Sequence, residues 1–324
     1  MTPESPLPTT MRAAVLDKPG GPEAVQVRTV PVPALDAGEV LVAVHTTGLA
    51  SWDVEMREGW WPGKRPRGPI ILGTDGAGTV VAVGSRVRKL SIGDRVYAYS
   101  FGNAKGGFHA EFVALAAENV APIPAGLDLL AAGAVPAAGL TALDGVARAL
   151  RVKRGETVVI HAASGSIGSL ALQFAKTRGA RVFAVGSGKD GVTLVQRLGA
   201  DAAVDGKRGH LAEAIREFAP EGVDAVLAFA GGTALNEILG QVRSGGRLAY
   251  PNGVDPKPRR RRGVEIITFD AEGGQPGFRR LGRALEATKP EVPIEATYPL
   301  AKIVQAHRRL AKGHTLGRVM IQVR

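Results

Sequence analysis

The chain has 324 residues, which at roughly 150 residues per domain means about two domains, each able to bury a sizeable core. It contains no cysteine, which excludes disulfide scaffolds, thiolate zinc sites, iron–sulfur clusters and a cysteine nucleophile. A formal charge of +11 favours an anionic ligand or partner, while aromatics at 5% leave little material for stacking on nucleic acid.

The charge is local: residues 251–324 hold 15 Lys/Arg against 7 Asp/Glu, most of the whole surplus. No apolar run approaches the ~20 residues of a membrane span. Residues 1–10 are Pro/Thr-rich, without a basic start or an apolar stretch, so they read as a disordered lead rather than a signal peptide. The expected location is the cytoplasm.

From residue 11 to about 121, short β-like runs are broken by Gly and Pro: 11–16, 25–30, 39–46, 78–83, 95–99 and 110–114. Their spacing predicts a largely antiparallel or barrel-like domain. After Gly126 the texture changes. An Ala-rich helical stretch over 128–150 leads to a strand at 157–161, a glycine loop, a helix at 167–178 and a strand at 181–185. A helix at 193–198, a strand near Ala203, a helix at 211–218, a strand at 224–229 and a helix at 234–242 follow. Strands at 247–250 and 264–269 complete the series. Strands alternating with helices of this kind make βαβ units and a parallel, doubly wound sheet. A helix at 300–312 and a strand at 317–323 return to the first texture. The expected organisation is therefore one domain from 11–125 plus 298–324, with a nucleotide-binding domain, 126–297, inserted between.

The glycine loop reads Ala163-Ser164-Gly165-Ser166-Ile167-Gly168, directly after an apolar strand and at the mouth of an Ala/Leu-rich helix. A dinucleotide needs this local chemistry: a tight turn, a backbone without Cβ beside the pyrophosphate, and free helix N–H groups facing phosphate. About 20 residues on, NAD sites usually place an Asp or Glu on the ribose. Here the segment is Ala184-Val185-Gly186-Ser187-Gly188-Lys189-Asp190. No acid stands at the strand end, Asp190 reads as the start of the next helix, and Ser187 and Lys189 suit a 2′-phosphate. NADPH is the expected cofactor.

Further landmarks are Met11-Arg12-Ala13, Gly48-Leu49-Ala50, Leu72-Gly73-Thr74-Asp75-Gly76-Ala77-Gly78, Gly93-Asp94-Arg95-Val96 and Gly139-Leu140-Thr141-Ala142. Leu198-Gly199-Ala200-Asp201, Gly245-Gly246-Arg247-Leu248 and Gly317-Arg318-Val319 follow. In this order, over nearly the whole chain from Met11, the sequence resembles the zinc-free branch of the medium-chain dehydrogenase/reductase superfamily, the quinone oxidoreductase or zeta-crystallin-like proteins. The resemblance implies an α/β protein: a GroES-like β-barrel domain built from both chain ends and a Rossmann domain that binds NADPH. Zinc-dependent relatives need a cysteine near Ala50–Ser51, a Gly-His-Glu where Gly73-Thr74-Asp75 stands, and a four-cysteine lobe; all are missing. The six histidines, His45, His109, His161, His210, His307 and His314, are scattered without ligand spacing, so each reads as structural or solvated, and no metal is expected.

By the resemblance, Thr141 would lie near the nicotinamide and phosphates, and Ser164, Gly165, Ser166 and Ile167 on the pyrophosphate. Ser187 and Lys189 would meet the 2′-phosphate. Ala230, Gly231 and Tyr250 to Gly253 would line the ribose and nicotinamide, with Arg318 close by. Three positions depart from the pattern. A common lysine aligns with Gly191, two places after Lys189. A common tyrosine aligns with Gly206, where Lys207 or Arg208 would substitute. The usual Asn-Pro-Val-Asp is Ala50-Ser51-Trp52-Asp53.

A bound nicotinamide would supply the hydride, and a quinone acceptor needs little more than positioning. An α,β-unsaturated carbonyl needs a donor for its enolate oxygen. The candidates are Ser51, Tyr97 and Tyr99, with Asp53 as an orienting group. The alternatives are that the tyrosines pack in the barrel and that Asp53 caps a helix. Trp52, Tyr99 and Trp60, with Trp61 and Met56, are candidates for the acceptor pocket, or else core or interface residues. The run Arg259–Arg262, after Pro256-Lys257-Pro258, is a solvated loop or an anion contact. Without interleaved aromatics it is a poor RNA site. The apolar strand at 264–269 would need covering if it lies at the edge of the sheet, and the resemblance implies that this edge pairs across a two-fold axis in a homodimer. The expected function is NADPH-dependent, zinc-independent reduction of quinones or activated enones. A 2-alkenal or enoyl-thioester reductase is the enzymatic alternative. An NADPH-binding RNA-binding or regulatory protein using 257–262 is the non-enzymatic one.

Overall fold

The computed structural model describes residues 7–61, 65–66, 68–207 and 210–324. The chain forms two compact units. One takes the described residues up to Ala137 with 294–313 and 318–324; the other takes 138–293 with 314–317.

The first unit opens with β1 (Thr10–Leu16), β2 (Val25–Pro31) and β3 (Glu39–Leu49), then α1 (Ser51–Glu58), β4 (Ile70–Ile71), β5 (Asp75–Val83), β6 (Arg95–Tyr99), β7 (Phe112–Ala116), β8 (Val120–Pro122) and α2 (Leu129–Ala134). α3 (Pro136–Asp144) begins in the first unit and continues into the second, where β9 (Thr157–His161), α4 (Ser166–Thr177), β10 (Arg181–Gly186), α5 (Gly188–Arg197), β11 (Ala202–Asp205) and α6 (Leu211–Phe218) follow. Then come β12 (Val223–Ala228), α7 (Thr233–Leu239), β13 (Val242–Pro251), β14 (Glu265–Phe269) and α8 (Gly274–Thr288). The chain returns to the first unit as β15 (Ile294–Pro299), α9 (Ile303–Ala311) and β16 (Arg318–Gln322).

In the first unit β15-β16-β3-β5-β6-β8 form one sheet, with β7 also on β3, and β2-β1-β4 a second. All pairs are antiparallel except β15–β16, which is parallel. β3 is buried along almost its whole length because it pairs with three strands. Its register with β5 shifts twice, and a Cβ at Gly78 would stand 2.1 Å from the Ala43 carbonyl, so only glycine allows this approach. In the second unit all pairs are parallel, in the order β11-β10-β9-β12-β13-β14. β9 is buried at every position, which is why it reads as a continuous apolar run without alternation. β14 is an edge strand, with Ile266 and Ile267 half-buried. Among the described residues no helix is long and apolar enough to cross a membrane.

The unit boundaries lie away from the expected ones. α2 packs on the barrel, where Thr46 Oγ1 donates to the Leu129 carbonyl at 2.6 Å and a Cβ at Gly133 would stand 2.2 Å from that hydroxyl. The division therefore falls at 137/138, not 125/126. β15 pairs with β16, which moves the second division from 297/298 to 293/294. The expected helix over 128–150 is broken at Pro136, which opens α3, and ends in a π-turn at Gly145–Ala149. The expected short helix at 193–198 begins earlier, at Gly188.

A buried ion pair closes the barrel. Arg318 on β16 donates to Asp75 Oδ1 on β5 at 2.7 Å, and Asp75 Oδ2 accepts the Ala137 N–H at 2.9 Å. Arg318 is 2% exposed and Asp75 0%. Burial pushes the Asp75 carboxyl up, while Arg318 and the Ala137 N–H pull it down. Removing one partner of such a pair strands the other, at a cost of about 3–5 kcal/mol. Arg318→Met is therefore expected to lose that much in urea unfolding, and the Asp75→Asn/Arg318→Met double variant to lose less than the single one. Equal losses would show that the two side chains are not coupled.

Candidate nucleotide and acceptor sites

β9 ends at His161, the chain turns through Ala162 (φ +60°), and Gly165 caps α4 in an extended conformation without a side-chain cap. The two glycines of the turn differ in kind. A Cβ at Gly168 would stand 2.3 Å from the Ala162 carbonyl, so that glycine is required by packing. At Gly165 the φ is −79° and a Cβ would meet nothing nearer than 3.5 Å. The fold gives no reason for glycine there. A pyrophosphate laid against the first N–H groups of α4, which have no intrahelical partners, does give one.

The turn from β10 into α5 lies beside it, since Ser164 Oγ accepts the Ser187 N–H at 3.1 Å. Ser164 is 2% exposed, so its hydroxyl braces two turns instead of facing solvent. Ser187 Oγ is 2.9 Å from His314 Nδ1, and His314 Nε2 is 3.0 Å from Asp190 Oδ2. The same contact holds the Asp190 carboxyl below its usual range. Asp205, ending β11, accepts the Gly188 N–H at 3.0 Å and the Lys207 N–H at 3.1 Å. Lys189 is exposed. Arg208 lies outside the described residues. His314 and Asp205 are the neighbours sequence reasoning missed. Both reach the turn from distant segments, and the only local signal was the Gly317-Arg318-Val319 landmark beside His314.

Of the other cofactor candidates, Thr141 is half-buried on α3, Ala230 follows β12, and Gly253 sits at φ +94° after β13. Gly231 packs so tightly that a Cβ would stand 2.2 Å from the Pro256 carbonyl. Tyr250 is 6% exposed and belongs to the apolar core of the second unit. Arg318 belongs to the first unit, with its guanidinium on Asp75 and 5.6 Å from the Trp52 ring centre.

The first unit holds a pocket of about 140 Å³, with Met56, Trp61, Ile70, Leu72, Thr74 and Ser100 in its wall. Trp60 does not line it and is 51% exposed, because the turn after α1 points it outward. Trp52 instead donates from Nε1 to Thr74 Oγ1 at 3.0 Å, steadying the pocket wall from outside. Tyr99, opposite Asp75 in the β5–β6 register, is likewise outside the lining. The Trp61 indole N–H is buried and has no hydrogen-bond partner among the described residues.

The catalytic candidates do not converge. Ser51 is exposed at the start of α1. Asp53 is 0% exposed, and its two oxygens accept the Ala50 N–H at 2.9 Å and the Gly73 N–H at 3.1 Å, so it braces the turn before α1. Tyr97 is 1% exposed, on β6 between β5 and β8, and lies on the face opposite to Val96 and Ala98, which belong to the barrel core.

Comparison with known proteins accounts for this architecture. Residues 36–125 match the alcohol dehydrogenase GroES-like domain, and residues 166–257 match the zinc-binding dehydrogenase family. A quinone oxidoreductase of Rattus norvegicus is 30% identical over 322 residues, covering 95% of this chain and 96% of its own. The chain belongs to the medium-chain dehydrogenase/reductase superfamily. It is an oxidoreductase of the quinone oxidoreductase-like type, with a GroES-like and a Rossmann-like part. A solved NAD-dependent alcohol dehydrogenase superposes with a TM-score of 0.90 at 28% identity, covering 97% of this chain and 100% of that one. A mycobacterial protein in complex with NADPH gives 0.84 at 27%, with the same coverages.

The zinc implied by the second family does not fit these residues. There is no cysteine, Thr74 Oγ1 is held by Trp52, and Asp75 is held by Arg318. Among the described residues no group of three or more His, Asp or Glu is placed to hold a metal ion.

Three histidines, His109, His161 and His307, are buried, and burial lowers the pKa of all three. His307, 0% exposed, lies 3.2 Å by Nδ1 from an Arg57 nitrogen, and burial pushes it down to about 3. Arginine only donates, so Nδ1 accepts and the ring is neutral. His161, 7% exposed and without a partner for either nitrogen among the described residues, is pushed by burial to about 4. The unfolded chain protonates both near their ordinary value of 6.5 while the folded chain does not. Stability is therefore full above that pH and falls as pH drops toward 4, by up to about 1.4 kcal/mol per pH unit for each ring. Urea unfolding at a series of pH values should show this fall, and a shallower one in His307→Gln. An identical slope in the variant would mean that His307 does not contribute.

Proposed function

We propose that this chain is an NADPH-dependent, metal-free reductase of quinones or activated α,β-unsaturated carbonyls, working in the cytoplasm as a homodimer. The observation that carries the reading is Gly165, which the fold itself does not need and a pyrophosphate does. The nicotinamide, when bound, supplies the hydride. Ser166 and Ile167 offer backbone N–H groups to the pyrophosphate beside Gly165, whose own N–H is bound by the Ala162 carbonyl at 3.2 Å, and Ser187 and Lys189 are assigned to a 2′-phosphate. Thr141, Ala230 and Gly253 are assigned to the rest of the dinucleotide.

The barrel pocket supports a flat, mainly apolar acceptor, held between Met56, Trp61 and Leu72. The unpartnered Trp61 N–H is a donor suited to an acceptor carbonyl oxygen. Asp53 and Tyr97 are committed to structure, so proton delivery to a quinone is assigned to water. The exposed edge of β14 is assigned to a second copy of the chain. The basic run supports a solvated loop rather than an RNA site. Arg261 caps carbonyls at Leu239 and Val242, and the Arg259 N–H is bound by Asn236 Oδ1 at 2.9 Å, which leaves Arg259, Arg260 and Arg262 as scattered exposed charges.

Chelator-treated protein should oxidise NADPH with ortho- or para-quinones faster than with 2-alkenals or enoyl thioesters, followed by nicotinamide absorbance. Gly165→Asp should abolish nucleotide binding by setting a carboxylate against the pyrophosphate. Turnover restricted to 2-alkenals would select the enzymatic alternative. Unchanged NADPH affinity in Gly165→Asp would refute the loop assignment.

A further inference from the structure

The register of four parallel strands sets Val204, Val185, His161 and Ala228 in one row at the C-terminal end of the sheet, on β11, β10, β9 and β12. Two residues earlier the same face carries Phe183, Val159 and Val226. These belong to an apolar cluster with Leu211 and Ile215 of α6 and Leu235 and Ile238 of α7. His161 is thus an imidazole at the end of an aliphatic face. It is 7% exposed, and neither ring nitrogen has a hydrogen-bond partner among the described residues. A buried polar ring left unpaired costs stability that an apolar side chain in the same row would not. Buried polar groups are almost always paired, so this ring suits a partner that is not part of the chain.

The topology says which partner passes there, on the nucleotide site of the proposed function, from which the inference follows. β9 lies between β10 and β12 in the sheet. The turn after β10 carries Ser187, assigned to the 2′-phosphate, and the turn after β12 carries Ala230, assigned to another part of the dinucleotide. Both turns are tied to the end of β9. The His161 carbonyl accepts the Phe229 N–H at 3.3 Å, and the Ala163 N–H donates to the Val185 carbonyl at 2.9 Å. All these residues belong to the second unit. A dinucleotide running from Ser187 past Gly165 to Ala230 crosses the C-terminal end of β9. Its adenosine ribose bears the 2′-phosphate at one carbon and leads to the pyrophosphate at another, so the ribose falls between Ser187 and Gly165.

Burial pushes the His161 pKa down to about 4, so the ring is neutral at ordinary pH. A neutral imidazole has one N–H and one bare nitrogen. A ribose hydroxyl can accept from the first or donate to the second. We propose that His161 is a cofactor-binding residue whose imidazole meets the ribose of the adenosine half of the nucleotide.

The test compares the full-length wild type with His161→Phe and His161→Leu, which keep an apolar side chain in the row and remove both nitrogens. Kd is measured for NADPH and for 2′,5′-ADP, which has the same ribose without the nicotinamide. Melting temperatures are read with and without each ligand. Both ligands should bind about tenfold more weakly in each variant, the size of one lost hydrogen bond. Without ligand, His161→Phe should melt at or above the wild-type temperature, because it strands no polar group. If His161→Phe does not fold, His161→Leu carries the comparison of affinities. Unchanged affinities overturn the inference and leave the dinucleotide reading standing. So does a loss for NADPH with none for 2′,5′-ADP, since the contact then lies outside the adenosine half. A melting temperature of His161→Phe that falls while its affinities hold marks the ring as structural and overturns the inference as well. A wild type that binds neither ligand removes both the inference and the reading beneath it.

Discussion

Arg318 and Asp75 meet at 2.7 Å with almost no exposure to water, 243 residues apart in sequence. Two charges out of water are tolerable only with good geometry and with their remaining sites satisfied, and here the Ala137 N–H takes the second carboxylate oxygen. The pair ties the last strand to the central strand of the barrel and to the first turn of α3. It also explains Gly48, since a Cβ there would stand 2.2 Å from the Arg318 Nε. β15, which among the described residues pairs only with β16, depends on the same anchor.

Where zinc-dependent relatives of this family need metal donors, this chain has put structural side chains. Thr74 is bound to Trp52 and Asp75 to Arg318. Beside these side chains lies a pocket lined by Met56, Trp61 and Leu72 together with Thr74, Ser100, Asn103 and Lys105. Such a pocket suits an acceptor already able to take electrons, because little beyond orientation is asked of the protein.

The nucleotide unit was legible in sequence where its chemistry is local. Strand, glycine turn and helix follow one another within twenty residues, and the placement of β9, Gly165 and α4 follows from that adjacency. What was hidden depends on distance or on mixed signals. α8 opens with Gly274-Gln275-Pro276-Gly277, which reads as loop, and β15 lies between Pro293 and Pro299. Tyr97 followed a barrel landmark, but spacing does not show that β8 covers its strand. Arg318 aligned with a cofactor contact, and only its fold partner, Asp75, shows where its charge is used. His314 looked like one of six scattered histidines until the chain brought it to Ser187.

The central claim is that the two turns after β9 and β10 form one dinucleotide site. A crystal structure of the protein with NADPH tests it most directly. The account predicts the pyrophosphate within hydrogen-bonding distance of the Ser166 and Ile167 N–H groups and the 2′-phosphate beside Ser187. A nucleotide bound away from Gly165, or with its adenosine end turned from Ser187, would contradict it.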